Sequence, residues 1–101
     1  MWFVSISASP LAGTEDFVKF GGAHVSCWLA LPEREALGRA AQLVEAYGWR
    51  VEVVEESREV TRDDYPPDSS GLSHFEQAFT DGEVVVFHTW PNEAHDRGTL
   101  Q

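Results

Sequence analysis

The chain has 101 residues, of which 43% are hydrophobic and 12% aromatic, and its formal net charge is −10. This length is typical of one domain, and a fully disordered chain is excluded because disorder requires few aromatic residues. The lysine and arginine residues number 7 against 17 acidic residues, which disfavours binding to nucleic acid or to an anionic membrane surface. A single cysteine excludes an intramolecular disulfide, and with no recognisable signal peptide or membrane span we expect a cytoplasmic protein.

The first half of the chain predicts strands and helices in alternation. Apolar and small polar residues alternate over 2–8, which is typical of a half-buried strand. Thr14 then precedes two acidic residues and predicts the N-cap of a short helix, Glu15–Phe20. A second alternating strand is predicted over 23–31, and a helix over Glu33–Tyr47 follows Pro32 with apolar residues at helical spacing and a glycine after its last turn.

The second half predicts two or three strands and one further helix. The segment 83–90 is apolar on both alternations, which indicates a central strand covered on both sides, or on one side with an interface on the other. Leu72, Phe75 and Phe79 share one face of a short helix that Gly82 ends. The remaining elements are a strand over 49–56, a possible return strand over Glu59–Arg62 after a turn at Ser57–Arg58, and a loop over 63–71.

From residue 23 onward, this order of elements resembles the split βαβ pattern of ferredoxin-like domains, including ACT-like regulatory modules. The resemblance implies an α+β two-layer sandwich, with an antiparallel or mixed sheet of about four or five strands and two helices on one face. The N-terminal strand is then an addition at one edge. We expect residues 1–91 to form one domain and residues 92–101 a flexible polar tail.

Two features indicate surfaces for a partner. If both helices cover one face of the sheet, the bare face carries Trp28 and His24, and an exposed aromatic face usually meets a ligand or a protein. Acidic residues are also concentrated between positions 52 and 68, where only Arg58 and Arg62 oppose them. This acidic belt either attracts a basic protein or is a solvated hairpin and loop. It consists of Glu52, Glu55, Glu56, Glu59, Asp63, Asp64 and Asp68.

The residues that could carry chemistry do not form a recognised motif. Asp63, Asp64, Asp68 and His74 lie close in sequence, but their spacing fits neither a calcium loop nor a zinc site, so we predict no metal and no cofactor. Cys27 shares a face with apolar residues and predicts a buried thiol rather than a nucleophile. The last candidate for chemistry is His88 with His95. We predict His88 to be a hydrogen-bonded residue of the sheet, and His95 lies in the tail.

The sequence therefore favours a small acidic, non-enzymatic protein-interaction module, either inhibitor-like or immunity-like, or a homodimeric adaptor. Its partner is a protein or a second copy of the chain, and no catalytic residue is assigned. The alternative is a ferredoxin-like regulatory domain that binds a small molecule or metal between Trp28, His24 and the loop over 63–71. A third hypothesis is an enzyme that uses His74 or His88 with a carboxylate such as Asp64 or Glu76.

Overall fold

The computed structural model describes residues 1–92, in which four antiparallel strands form one open sheet with the order β3-β1-β2-β4. The α+β class is confirmed, whereas the predicted ferredoxin-like order is not. None of the helices in this part of the chain has the length and apolarity needed to cross a bilayer. In chain order the elements are β1 (Trp2–Pro10), α1 (Glu15–Lys19), β2 (Phe20–Leu29), α2 (Glu33–Ala46), β3 (Trp49–Glu59), a 3₁₀ helix (Arg62–Asp64), α3 (Ser70–Asp81) and β4 (Glu83–Pro91).

The positions of the first and last strands in the sheet differ from those predicted. β1 is not an added edge strand but lies in the centre, paired with β2 on one side and β3 on the other. β4 was predicted to be central, yet among residues 1–92 it pairs only with β2 and forms one edge of the sheet. Of the tail predicted for residues 92–101, only Asn92 lies within the described residues, and its backbone N–H donates to the carbonyl of Lys19 at 3.0 Å.

β3 forms the other edge and is longer than predicted. The turn expected at Ser57–Arg58 does not form, because both residues belong to β3 and pair with β1. The return strand predicted over Glu59–Arg62 is also absent, and the chain instead enters the 3₁₀ helix. Thr61 and Asp64 form a capping box there, with the backbone N–H of Thr61 donating to Asp64 Oδ2 at 2.7 Å.

α2 covers one face of the sheet through small residues. Ala36, Ala40 and Val44 recur every four residues and are fully buried against the sheet, where alanine side chains permit a close approach. Leu37, predicted to belong to this stripe, is 42% exposed. Gly38 points away from the sheet, since a Cβ atom there would have no neighbour within 4 Å. The sheet residues of this core are Val4, Ile6, Ala8, Ala23, Val25, Cys27, Leu29 and Trp49.

An ion pair connects α2 to the edge strand β4. The Arg39 guanidinium donates from Nε and Nη2 to the two carboxylate oxygens of Glu83, each at 2.8 Å. This hydrogen bonding lowers the pKa of Glu83 and raises the pKa of Arg39. The pair therefore stabilises the fold above the ordinary pKa of a glutamate, and the stabilisation is lost as the pH falls through the lowered pKa of Glu83.

α3 packs on the opposite face from α2, which contradicts the prediction of two helices on one face. The helix begins at the N-cap Ser69, whose Oγ accepts from the N–H of Leu72 at 3.1 Å. Its buried residues Phe75 and Ala78 form a second core with Trp28 and Val60. Because neighbours along a strand point to opposite faces, Trp28 lies on the face away from the α2 core.

The strand register explains why α3 covers only part of its face. Trp2 is paired with both Glu59 and Leu29, and Leu29 is in turn paired with Glu83. The end of β3 and the start of β4 therefore lie at the same end of the sheet. The connection between them, including α3, can stay at that end. Among the described residues, its core extends along the sheet no further than Phe3 in β1, Trp28 in β2 and Val86 in β4.

Two glycines in helices give a matched test of the packing beneath α3. A Cβ atom at Gly71 would lie 2.6 Å from Tyr65 Cδ1, whereas one at Gly38 meets nothing. We expect Gly71→Ala to lower the free energy of unfolding by about 1–3 kcal/mol through displacement of the tyrosine ring. Gly38→Ala should raise it by about 0.5–1 kcal/mol, because alanine has the higher helix propensity. Urea denaturation of both variants measures the difference, and equal effects of the two substitutions would contradict the packing described.

Candidate functional site

The uncovered half of the α3 face is a polar strip of the sheet, which we call the serine trough. Its floor consists of Ser5, Ser7 and Ser9, which are alternate residues of β1 and therefore point to the same face as Phe3. All three serines are partly exposed. Because their side chains are small, longer side chains from β2 and β3 stand higher on either side. Those longer side chains are His24 from β2 and Arg50, Glu52, Val53, Glu55 and Glu56 from β3, whereas Ser26 of β2 is as short as the residues of the floor.

Two irregularities in β3 place carboxylates on the wall of the trough. The register with β1 shifts between Ser5 and Ile6 and again between Ser7 and Ala8, which leaves Glu55 and Glu52 without opposing residues. Such bulges redirect side chains from the regular alternation. Ser9 Oγ accordingly donates to Glu52 Oε1.

Glu55 reaches across the floor of the trough. Its Oε1 atom lies 3.6 Å from Nδ1 of His24, although β1 separates the two strands that carry these residues. The serine opposite His24 in the register is Ser7, whose short side chain leaves room for this contact. The His24 and Glu55 side chains are 52% and 42% exposed, so both remain accessible to a partner.

The charges of the trough are partly compensated. Hydrogen bonds from Ser9 and then Arg50, together with the charge of Arg50, lower the pKa of Glu52. Glu56 accepts a hydrogen bond from Arg58, whose pKa is raised mainly by this bond. Arg62, one of the two arginines expected to oppose the acidic belt, is instead paired with Glu76 of α3 at 2.7 Å.

The structure divides the predicted acidic belt into two parts. Glu55 and Glu56 belong to the trough, together with Glu52. Glu59 lies opposite Trp2 at the end of the sheet that α3 occupies, and Asp63 and Asp64 follow in the 3₁₀ helix. The carboxylate of Asp64 is used locally as a cap, although its charge also contributes to the raised pKa of Arg58.

Trp28 and His24 were predicted to share a bare face, and they do share a face, but only His24 is uncovered. Trp28 is 6% exposed because α3 packs over it. Its indole Nε1 donates to Tyr65 Oη at 2.8 Å, and its ring lies 5.0 Å from that of His74 and 5.1 Å from that of Phe3. These contacts make Trp28 part of the second core, so the interaction site proposed below does not include it.

Trp90 closes the end of the trough away from α3. Its ring lies 5.6 Å from that of His24 and packs on Gly22, where a Cβ atom would overlap the indole. Both Gly21 and Gly22 belong to β2. His88, from the same strand as Trp90, is paired with His24 in the register and is exposed.

The other candidates for chemistry lie apart from the trough. No group of three or more metal-ligating side chains occurs within residues 1–92, and the ring of His74 packs on Trp28. Cys27 is fully buried on the α2 face, and this burial raises its pKa to about 12. His95, which was considered together with His88, lies outside the described residues.

Comparison with protein-family models, with curated proteins and with solved structures gives no match.

The environment of Cys27 predicts an unreactive thiol. A thiol with a pKa of about 12 is almost entirely protonated at pH 8, and the thiolate is the reactive form. We expect no reaction with a disulfide reagent in the native protein and complete reaction of one thiol after denaturation in urea. Rapid labelling of the native protein, monitored by absorbance and mass spectrometry, would contradict the buried position.

Proposed function

We propose that this protein is a small, non-enzymatic interaction module that binds a basic protein through the serine trough. The observation that carries this proposal is the pair of bulges in β3, which place Glu52 and Glu55 beside an uncovered part of the sheet. A regular strand would alternate these residues between the two faces, so the bulges concentrate negative charge on one of them.

The form of the trough favours a protein surface over a small molecule. Small-molecule pockets are concave and mostly apolar, whereas the floor here is a row of hydroxyl groups between open walls. Serine hydroxyls accept and donate hydrogen bonds, and carboxylates form charge-assisted bonds with guanidinium groups. An arginine or lysine side chain laid along β1 would therefore meet hydroxyls beneath it and Glu52, Glu55 or Glu56 beside it.

The charge of the whole chain supports the same partner. With a net charge of −10, the protein attracts basic surfaces before contact, and the exposed carboxylates of β3 direct that attraction towards the trough. Exposed charges at an interface act mainly on the rate of association and on specificity. The partner we propose is consequently a folded protein with a patch of arginine and lysine, whose binding weakens as salt is added.

A double substitution in the trough tests this proposal. Glu52→Gln with Glu55→Gln removes two charges while keeping side-chain size. The matched control, Glu33→Gln with Glu45→Gln, removes two exposed charges from α2 on the other face. Each protein is immobilised and used to capture partners, and the association and dissociation rates of a captured, purified protein are then measured. The trough variant should slow association by about tenfold with little change in dissociation, while the control resembles the unsubstituted protein.

The control also separates a defined surface from the general effect of charge. Equal weakening by the two double variants would show that only net charge matters, and it would remove the trough from the proposal. Capture that persists unchanged in the trough variant at low and high salt would also remove the trough from the proposal.

A second candidate function, homodimerisation, is favoured by the difference between the two edges of the sheet. β4 contains one charged residue, Glu83, among nine, and its pairing with β2 is regular from Gly22 onward. β3 carries four glutamates and two bulges, and these features hinder pairing with another strand. We propose that two copies associate through β4, which would join their sheets and leave both troughs open.

The mass in solution tests this association. Sedimentation equilibrium should give twice the monomer mass of 11.3 kDa. His88→Asp on β4 should restore the monomer, because two-fold symmetry introduces the new charge twice at the interface. The control is Val53→Asp, which places the same charge on the opposite edge strand, β3, at an exposed position on the same face of the sheet as His88. It should leave the dimer intact. A monomer at every concentration measured would exclude this second function without affecting the proposal for the trough.

A further inference from the structure

A small aromatic pocket lies on the other face of the sheet from the trough, at the end away from α3. It has a volume of about 150 Å³, well below the roughly 300–1,000 Å³ typical of drug-sized ligands. Its rings lie close together: those of Tyr47 and Phe87 are 5.2 Å apart, and those of Trp49 and Phe87 are 5.6 Å apart. The lining residues are Asp16, Phe20, Tyr47, Trp49, Phe87 and Thr89.

One carboxylate is fixed at this pocket. Asp16 Oδ2 accepts a hydrogen bond from the indole Nε1 of Trp49 at 3.0 Å, and Trp49 itself is only 2% exposed. The buried indole therefore positions the carboxylate. Tyr47, which is 62% exposed, and the partly buried Phe20 and Phe87 provide the accessible rings.

The combination of aromatic rings and a carboxylate defines the charge of the ligand. The faces of aromatic rings carry negative potential and attract cations, and the carboxylate adds to this attraction. Within residues 1–92, no lysine or arginine lines the pocket and Asp16 has no ion pair. A metal ion is disfavoured because it requires several oxygen or nitrogen ligands, and Asp16 is the one carboxylate that lines the pocket among the described residues.

From this arrangement we propose that the pocket binds an alkylated ammonium group. Such a group presents methyl groups to the rings and a positive charge to Asp16, and it is less strongly hydrated than a primary ammonium. Small apolar pockets of aromatic side chains recognise quaternary ammonium ligands in this way. The site is independent of the serine trough, from which the sheet itself separates it.

Choline and its neutral isostere 3,3-dimethyl-1-butanol test the role of the charge. The two have nearly the same shape, so a pocket that selects only for apolar volume binds both equally. We expect choline to bind at least about tenfold more tightly, measured by isothermal titration and by the shift of the Trp49 indole N–H signal in NMR spectra. Equal affinity for both compounds, or no shift at Trp49 at saturating choline, would overturn the proposal.

Two substitutions with matched controls locate the site. Asp16→Asn keeps an oxygen that can accept from Trp49 but removes the charge, and it should weaken choline binding by about five- to tenfold. Tyr47→Leu should weaken it by roughly threefold, the contribution of one exposed ring. Asp81→Asn and Phe79→Leu change an exposed acid and an exposed ring elsewhere on the chain, and should have no effect. If the controls reduce binding as much as Asp16→Asn and Tyr47→Leu, the pocket is not the site.

The source of the ammonium group is distinguished with peptides. A short peptide carrying trimethyllysine is compared with the same peptide carrying unmodified lysine, and both are compared with choline. Tighter binding of the trimethylated peptide than of choline assigns the site to a modified protein, and the reverse order assigns it to a free small molecule. Preference for unmodified lysine over trimethyllysine would contradict the class of ligand proposed.

Discussion

The point at which the chain returns from β3 to β4 determines which surfaces of the sheet are covered. These two strands form opposite edges and run antiparallel, so that Glu59 and Glu83 lie at the same end. α3 consequently caps one end of its face, while α2 connects parallel strands and must run along the sheet. One face is thus packed along the core strands, and the other is half open. The serine trough is the part of the sheet that this topology leaves uncovered.

Hydrophobic alternation predicted the strands and helices well but could not give their order in the sheet. The pattern reports whether the two faces of a strand are covered and carries no information about its neighbours. β4 is apolar on both faces because Val85 and Phe87 pack beside the α2 core and Val84 and Val86 beside the α3 core, yet it lies at an edge. β1 has polar residues on one face because that face is open, although the strand is central.

The site could be predicted only in part, for a related reason. Alternation correctly placed His24 on the opposite face of the strand from Val25 and Cys27. It could not show that α3 covers Trp28 but leaves His24 exposed. The acidic composition of residues 52–68 was evident, whereas its division into two groups depends on bulges whose positions are fixed by pairing with β1. Gly21 and Gly22 were a sequence signal for the contact with Trp90, since a glycine in a strand often marks the close approach of another group.

The topology also has a consequence for the order in which the molecule assembles. Of the three strand pairs, β1 with β2 closes the shortest loop, between Ala8 and Ala23, and therefore has the smallest entropic cost of closure. β3 and β4 then add to opposite sides of this hairpin, each accompanied by its own helix, and they share no strand contact. We expect the β4–α3 edge to open as a separate cooperative unit, leaving β1, β2 and β3 folded beneath α2.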